Sequence, residues 1–138
     1  MYRTFCFVED AVESVVRMID HPDKSIGHTF NVGNPKNNIQ IKELAALMID
    51  LYSKMTGKAE GSTRDVPGVE YYGKGYEDSD LRIPSMRLVK EQLGWEPKTT
   101  LRSAMEMTMK VFIEKYADKL NAKRVAEDSA APAAKKAK

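Results

Sequence analysis

The sequence has little of the chemistry that marks disulfide-bonded, metal-binding or membrane proteins. Cys6 is the one cysteine, so no internal disulfide can form, and His21 and His28 stand apart from any cluster with metal-ligand spacing. No stretch approaches the roughly 20 apolar residues of a membrane span, and the N-terminus lacks the apolar core and cleavage site of a signal peptide. We therefore expect a cytoplasmic protein with no metal site and no membrane partner.

Cys6 lies between Phe5 and Phe7 in a strand-like run. A thiol in such apolar surroundings is typically buried and unreactive, because a nucleophilic cysteine needs an adjacent base or positive charge. We expect an inert core residue here.

Positive charge is scarce outside the C-terminus. The net charge is +2, but residues 121–138 hold four Lys and one Arg against Glu127 and Asp128, so the remaining body carries −1. A nucleic-acid-binding protein would concentrate basic residues on its folded surface, with aromatic residues interleaved where single strands are bound. We therefore expect no nucleic-acid partner.

The chain has the composition of an ordinary globular domain, or of part of one. Of its 138 residues, 42% are hydrophobic and 30% are charged. Residues 121–138 are the exception, since they contain almost no large apolar side chain with which to offset the entropy of ordering. The sequence predicts a folded portion over residues 1–120 and a disordered, Ala/Lys-rich tail over residues 121–138.

Apolar residues at helical spacing predict four helices. The first begins at Asp10 and ends near His21, the second runs from Leu44 to Gly57, and the third runs from Ser85 to Gly94. The fourth follows Thr100. We expect Asp10 to cap the first of them. The run from His28 to Gly33 predicts a strand, whereas residues 58–84 lose periodicity and have the composition of an ordered, functional loop.

The segments RTFCFVEDAVESVVRMID, HTFNVGNP, IQIKELAALM and GYEDSDLRIPSMRLVKEQLGWEPKTTLRSAME follow one another in this chain. In this order they resemble the C-terminal third of extended short-chain dehydrogenases/reductases, the NAD-dependent epimerase/dehydratase family. The resemblance covers residues 2 to about 118. The stretch YYGKGYEDSDLRIPSM is most similar to UDP-apiose/UDP-xylose synthases and to bacterial UDP-glucuronate decarboxylases.

The resemblance implies an α/β fold, namely the C-terminal substrate-binding portion of an extended short-chain dehydrogenase of Rossmann type, with the N-terminal NAD lobe missing. Residues 1–120 would then bind a nucleotide sugar. The family's Gly-rich turn and Tyr-x-x-x-Lys pair have no counterpart in this sequence. NAD is therefore implied as the cofactor of full-length family members, and we expect none to bind this chain alone.

The resemblance also implies three site residues. Arg82 matches an arginine that binds the substrate carboxylate and assists proton transfer, and we interpret it as the catalytic residue; without the resemblance, it would be read as a solvated ion pair with Asp78 or Asp80. Tyr76 matches a tyrosine that contacts the nucleotide sugar, with a packed loop anchor as its alternative role. Arg3 matches an arginine that pairs with the diphosphate, and otherwise would be a surface charge.

Two functions remain open from the sequence. The first is the substrate-binding part of an NAD-dependent UDP-sugar enzyme that, in full-length form, decarboxylates UDP-glucuronate to UDP-xylose or UDP-apiose; this chain alone would be inactive. The second is a non-catalytic, truncated isoform that acts as an interaction module with full-length subunits. The expected partners are a UDP-sugar substrate and a second copy of the chain or a full-length homologue. Asp10, Asn31 and Gly33 are interpreted as structural.

Overall fold

A computed structural model describes residues 1–58, 61–75 and 81–118. Within these ranges two short strands and six helices follow one another, with a 3₁₀ turn at Pro35–Asn37 before the second strand. The strands are β1, Tyr2–Thr4, and β2, Asn38–Gln40; the helices are α1, Val8–Asp20, α2, Pro22–Ser25, α3, Ile41–Thr56, α4, Gly68–Tyr72, α5, Arg87–Leu93, and α6, Leu101–Lys115. The tail predicted over residues 121–138 lies outside the described residues.

The helix ends follow from local chemistry. Gly57 and Gly94 adopt left-handed conformations, with φ of 65° and 60°, and terminate α3 and α5 as their positions in the sequence predict. The hydroxyl of Thr100 accepts a hydrogen bond from the backbone N–H of Ser103 and caps α6. The four predicted helices are therefore confirmed, with boundaries that shift by a few residues.

The prediction that Asp10 caps α1 is wrong. The helix begins at Val8 with Phe7 as its N-cap, so Asp10 already lies in the first turn. Its buried carboxylate instead accepts hydrogen bonds from the backbone N–H of Lys98 and of Thr99, at 3.3 and 2.9 Å, and from the Thr99 hydroxyl at 3.1 Å. Asp10 thus fixes the segment that leads into α6.

The core of the described residues lies between α1, α5 and the residues that follow α5. Trp95 is 0% exposed and packs with Val89 and Leu93, and partly buried apolar side chains surround this cluster: Cys6, Met18, Phe30 and Met86. A second contact joins α3 to α6, where Leu51 and Ala104 are buried.

The prediction of a strand from His28 to Gly33 is wrong. The structure gives these residues no regular secondary structure, and the sheet of the described residues consists of β1 paired antiparallel with β2, with Arg3 opposite Ile39. A strand exists only where a neighbour accepts and donates its backbone hydrogen bonds. The described part of the chain offers this segment no such neighbour.

Candidate functional site

The segment that carries Arg82 is held against β1. The Thr4 hydroxyl donates a 2.7 Å hydrogen bond to the backbone carbonyl of Arg82, and the same hydroxyl oxygen lies 3.2 Å from Oδ1 of Asn38 on β2. These residues are 78 positions apart in the chain. The small sheet therefore determines where the Arg82 backbone lies.

The loop after Val32 holds the same segment two residues further on. Gly33 is buried, and a Cβ atom at this position would lie 2.6 Å from Cγ of Pro84. The amide of Asn31 donates a 3.4 Å hydrogen bond to the carbonyl of Ser85. Residues 82, 84 and 85 are thus each held by a different contact from the first 33 residues of the chain.

Arg3 lies on β1, immediately before the threonine that binds Arg82. Its side chain is half-buried, and Nη1 donates a 2.7 Å hydrogen bond to the carbonyl of Tyr2. Successive side chains of a strand point to opposite faces, so Arg3 and Thr4 face different sides of the sheet. Thr4 therefore holds the Arg82 backbone on one face of the sheet while Arg3 faces the other, and the Arg82 side chain is exposed.

A hollow of about 680 Å³ opens beside the N-terminal end of β1. Its wall includes Met1, Lys42, Arg64 and Tyr71, with Lys42 paired to Asp65 at 3.2 Å. The volume and the mixture of cationic and aromatic side chains are typical of pockets for small polar ligands. A second groove, of about 460 Å³ between α3 and α6, is lined by apolar and aromatic side chains and offers few polar groups to a sugar.

Tyr76, predicted to bind substrate, lies outside the described residues. Arg82 and Arg3 are described, and the arrangement can bind an anion, because a guanidinium keeps its charge and offers planar donors to carboxylate and phosphate oxygens. Sequence reasoning missed the contribution of Thr4, whereas it did interpret Asn31 as structural. A threonine within a strand carries no local signal for a hydrogen bond to a residue 78 positions away.

Cys6 is half-buried, and burial raises the pKa of its thiol, with the nearby charge of Asp10 adding to the effect. The thiolate is therefore disfavoured near neutral pH, which argues against a nucleophilic role. In the ranges that the structure describes, no group of three or more His, Cys, Asp or Glu residues could hold a metal ion. The described helices include none that is long and apolar enough to cross a bilayer.

The described residues do not fit a dinucleotide. β2 leads directly into α3, where the Gln40 and Glu43 side chains form a capping box that satisfies the backbone N–H groups of Glu43 and Gln40. A Rossmann site instead needs a Gly-rich turn between a parallel strand and a helix, with its free N–H groups directed at the pyrophosphate. The antiparallel pairing of β1 and β2 offers no such unit.

Comparison with known proteins identifies clear relatives of this segment. Over 118 residues the chain is 45% identical to UDP-D-apiose/UDP-D-xylose synthases 1 and 2 of Arabidopsis thaliana, covering 84% of this chain and 30% of each relative. It is 42% identical over 109 residues to UDP-D-apiose/UDP-D-xylose synthase of Oryza sativa subsp. japonica, covering 78% of this chain and 27% of the relative. The chain thus spans less than a third of the length of these relatives.

A solved structure confirms the fold. The crystal structure of the PbgP3 protein from Burkholderia pseudomallei superposes with a TM-score of 0.64 at 24% identity, covering 85% of this chain and 33% of that one. The predicted fold class, a portion of an α/β fold of the short-chain dehydrogenase type, is therefore confirmed. No protein-family model matches the sequence.

Proposed function

Because this chain is homologous to UDP-D-apiose/UDP-D-xylose synthases, which are enzymes of the extended short-chain dehydrogenase/reductase family, we propose that it forms the UDP-sugar-binding part of a UDP-glucuronate decarboxylase. The observation that carries the proposal is the position of Arg82. Its backbone is tied by a hydrogen bond to Thr4 on β1, the strand that also carries Arg3.

The chemistry explains why such a reaction needs a fixed cation. When the sugar C4 is a ketone, the bond between C5 and the carboxylate carbon can break, and its electron pair moves into an enolate over C4 and C5 as CO₂ leaves. The reacting group is an anion before this step, and negative charge develops on the sugar during it. A guanidinium held beside the carboxylate stabilises both states electrostatically.

Each of the three candidate site residues has a role in the proposal. Arg82 binds the carboxylate of the glucuronate and is the catalytic residue. Arg3 pairs with the diphosphate. The hollow beside β1 has a volume suited to a small polar ligand, and the cationic side chains that line it are Lys42 and Arg64. Tyr76 is proposed to contact the sugar, by resemblance alone. NAD belongs to the family by the same resemblance, but the described residues do not fit it, and no step here depends on it.

A binding experiment on the chain itself tests the proposal. UDP-glucuronate and UDP-glucose differ by the carboxylate, so the chain should bind UDP-glucuronate about tenfold more tightly, as one charge-assisted contact implies. Titration followed by NMR or calorimetry measures both affinities. Arg82→Ala should abolish the preference, whereas Arg87→Ala, an exposed arginine on α5, should keep it. Equal affinities for the two nucleotide sugars in the unaltered chain would refute the proposal.

A fusion protein tests the chemical step. Joining the NAD lobe of a related synthase to the N-terminus of this chain should give a protein that releases CO₂ from UDP-glucuronate. In that fusion, Arg82→Ala should remove most of the turnover and leave NAD binding unchanged, because the carboxylate contact and the cofactor site belong to different parts of the protein. Unchanged turnover in the variant would contradict the role of Arg82.

The structure also favours a second candidate function, an interaction module that joins full-length homologues. On α1 the branched aliphatic side chains face outward, from 47% to 71% exposed: Val8, Val12, Val15, Val16 and Ile19. A contiguous apolar helix face of this kind is typical of a surface covered by another protein lobe. This function needs no chemistry at Arg82, which separates it from the first.

A further inference from the structure

The Arg82 segment is an irregular stretch held by side chains from elsewhere in the chain. It lies before α5, and its backbone is bound by the Thr4 hydroxyl at residue 82, by the face of Gly33 at residue 84 and by the Asn31 amide at residue 85. Irregular segments without such contacts explore many conformations. These three contacts therefore restrict the Arg82 backbone.

Of these three contacts, that of Thr4 acts on the peptide group of Arg82 itself. The 2.7 Å hydrogen bond fixes the direction of the Arg82 carbonyl. Because the carbonyl carbon and Cβ are bonded to the same Cα, the direction in which the side chain leaves the backbone is restricted with it. Ile83 precedes Pro84, which confines its backbone to the extended region and adds to the restriction.

Thr4 is itself well anchored. It belongs to β1, where it pairs with Asn38, and its hydroxyl oxygen also lies near the Asn38 side chain. The hydroxyl is thus held between a strand and the Arg82 segment. Because the Thr4 backbone is fixed in the sheet, its hydroxyl holds the Arg82 carbonyl in a defined position relative to β1. A hydrogen bond from a flexible surface side chain would not define that position.

We propose that Thr4 is a positioning residue whose hydroxyl orients Arg82 toward the carboxylate of a UDP-sugar acid. The proposal rests on the proposed function for the identity of the anion, but its structural part, the ordering of residues 81–85 by the Thr4 hydroxyl, stands without it. Thr4 touches no substrate atom and acts through the Arg82 backbone.

Thr4→Val is the decisive variant, because valine keeps the shape and the strand preference of threonine and removes only the hydroxyl. Thr4→Ser restores a hydroxyl and should rescue the effect. Thr29→Val is the matched control, since Thr29 is exposed and forms no side-chain hydrogen bond among those found in the described ranges. The melting temperature of each variant reports any general loss of folding.

The first readout is the NMR order parameter of the Leu81, Arg82, Ile83 and Ser85 amides, measured by nitrogen relaxation without ligand. Thr4→Val should lower these order parameters to below about 0.6, the range of a flexible backbone, while those of α5 stay near about 0.85, because the Arg82 carbonyl loses the hydrogen bond that restricts the segment. Thr4→Ser and Thr29→Val should leave the order parameters near those of the unaltered chain. Unchanged order parameters in Thr4→Val would overturn the proposal.

The second readout is the ratio of the affinities for UDP-glucuronate and UDP-glucose. A general structural loss would weaken both, whereas a misoriented Arg82 lowers the ratio alone; we expect about a fivefold fall for Thr4→Val and recovery in Thr4→Ser. A ratio that stays at the unaltered value would overturn the positioning role. If the unaltered chain itself shows no preference, the proposed function fails, and the order parameters still decide whether Thr4 orders the segment.

Discussion

Gly33 and Pro84 pack so closely that a Cβ atom on the glycine would lie 2.6 Å from Cγ of the proline. Real Cβ atoms almost never approach a carbon so closely, and the proline ring has little freedom to move away. The absence of a side chain at residue 33 is therefore what allows the Arg82 segment to lie against this part of the chain.

Gly33→Ala should lower the free energy of unfolding by about 1–3 kcal/mol, the usual cost of overpacking. Urea denaturation followed by circular dichroism measures it. The matched control is Gly61→Ala, whose Cβ would meet the Ile49 side chain at an ordinary 3.8 Å, and which should be neutral or slightly stabilising. Equal urea midpoints for the two variants would show that the Gly33–Pro84 contact is not tight in solution.

Asp10→Ala should cost about 1–3 kcal/mol, because the backbone N–H groups of Lys98 and Thr99 lose their buried acceptor. Glu9→Ala is the control on the same helical turn, and since Glu9 is exposed it should change stability by less than about 0.5 kcal/mol. The urea midpoints of the two variants, compared with that of the unaltered chain, measure both effects. A cost for Asp10→Ala no larger than that for Glu9→Ala would mean that the carboxylate does not hold the segment before α6.

Glu13 should make the stability of the fold depend on pH. The Glu13 carboxylate lies 2.7 Å from Arg17 and 3.1 Å from Lys98, and hydrogen bonds from Arg17 and then Lys98 lower its pKa below the ordinary value for glutamate. The unfolded chain therefore binds the proton more readily than the folded one. The resulting stability is present above the ordinary glutamate pKa of about 4.3 and is lost as the pH falls through the lower folded pKa.

Glu13→Gln should accordingly lower the melting temperature at pH 7, with the difference shrinking as the pH falls toward about 3. Thermal unfolding of both proteins across this range measures the effect. Glu9→Gln removes the same charge from the same helix and serves as the control. A difference between Glu13→Gln and the unaltered chain that stays constant with pH would contradict the pairing with Arg17 and Lys98.

The apolar face of α1 should cause association. Replacing Val12, Val16 and Ile19 together with serine should weaken self-association and binding to a purified full-length UDP-D-apiose/UDP-D-xylose synthase. Stability should change little, because the three residues are already 47% to 71% exposed. Sedimentation velocity over a range of concentrations measures both. Val69→Ser, at a 63% exposed position on α4, is the control and should leave association unchanged.

Binding to the full-length synthase and self-association of this chain would support the interaction module to different degrees. Binding to the full-length synthase that the triple variant abolishes would favour the interaction module. Association unaffected by the triple variant would exclude α1 as the contact surface. Self-association without binding to the synthase would show that the apolar face of α1 can form a protein contact, but it would not support the interaction module.

The helices of this protein could be predicted because their signals are local. Gly57 and Gly94 end helices through their own left-handed backbone, and Thr100 caps a helix through a residue three positions away. The resemblance to extended short-chain dehydrogenases was equally accessible, since it lies in the order and spacing of segments along the chain. The curated relatives confirm it.

The sequence by itself thus determined the helical elements and the resemblance to UDP-D-apiose/UDP-D-xylose synthases, and through that resemblance it suggested the candidate arginines. Only the tertiary structure decided that residues 28–33 form no strand, that Asp10 binds residues 98 and 99, and that Thr4 and Gly33 hold the Arg82 segment. The physical reason is that each of these features depends on residues far away in the chain. Residues 28–33 lack a neighbouring strand, and Asp10, Thr4 and Gly33 contact partners from 51 to 89 positions away. Hydrogen bonds or packing across such distances leave no periodicity or composition in the neighbourhood of either residue.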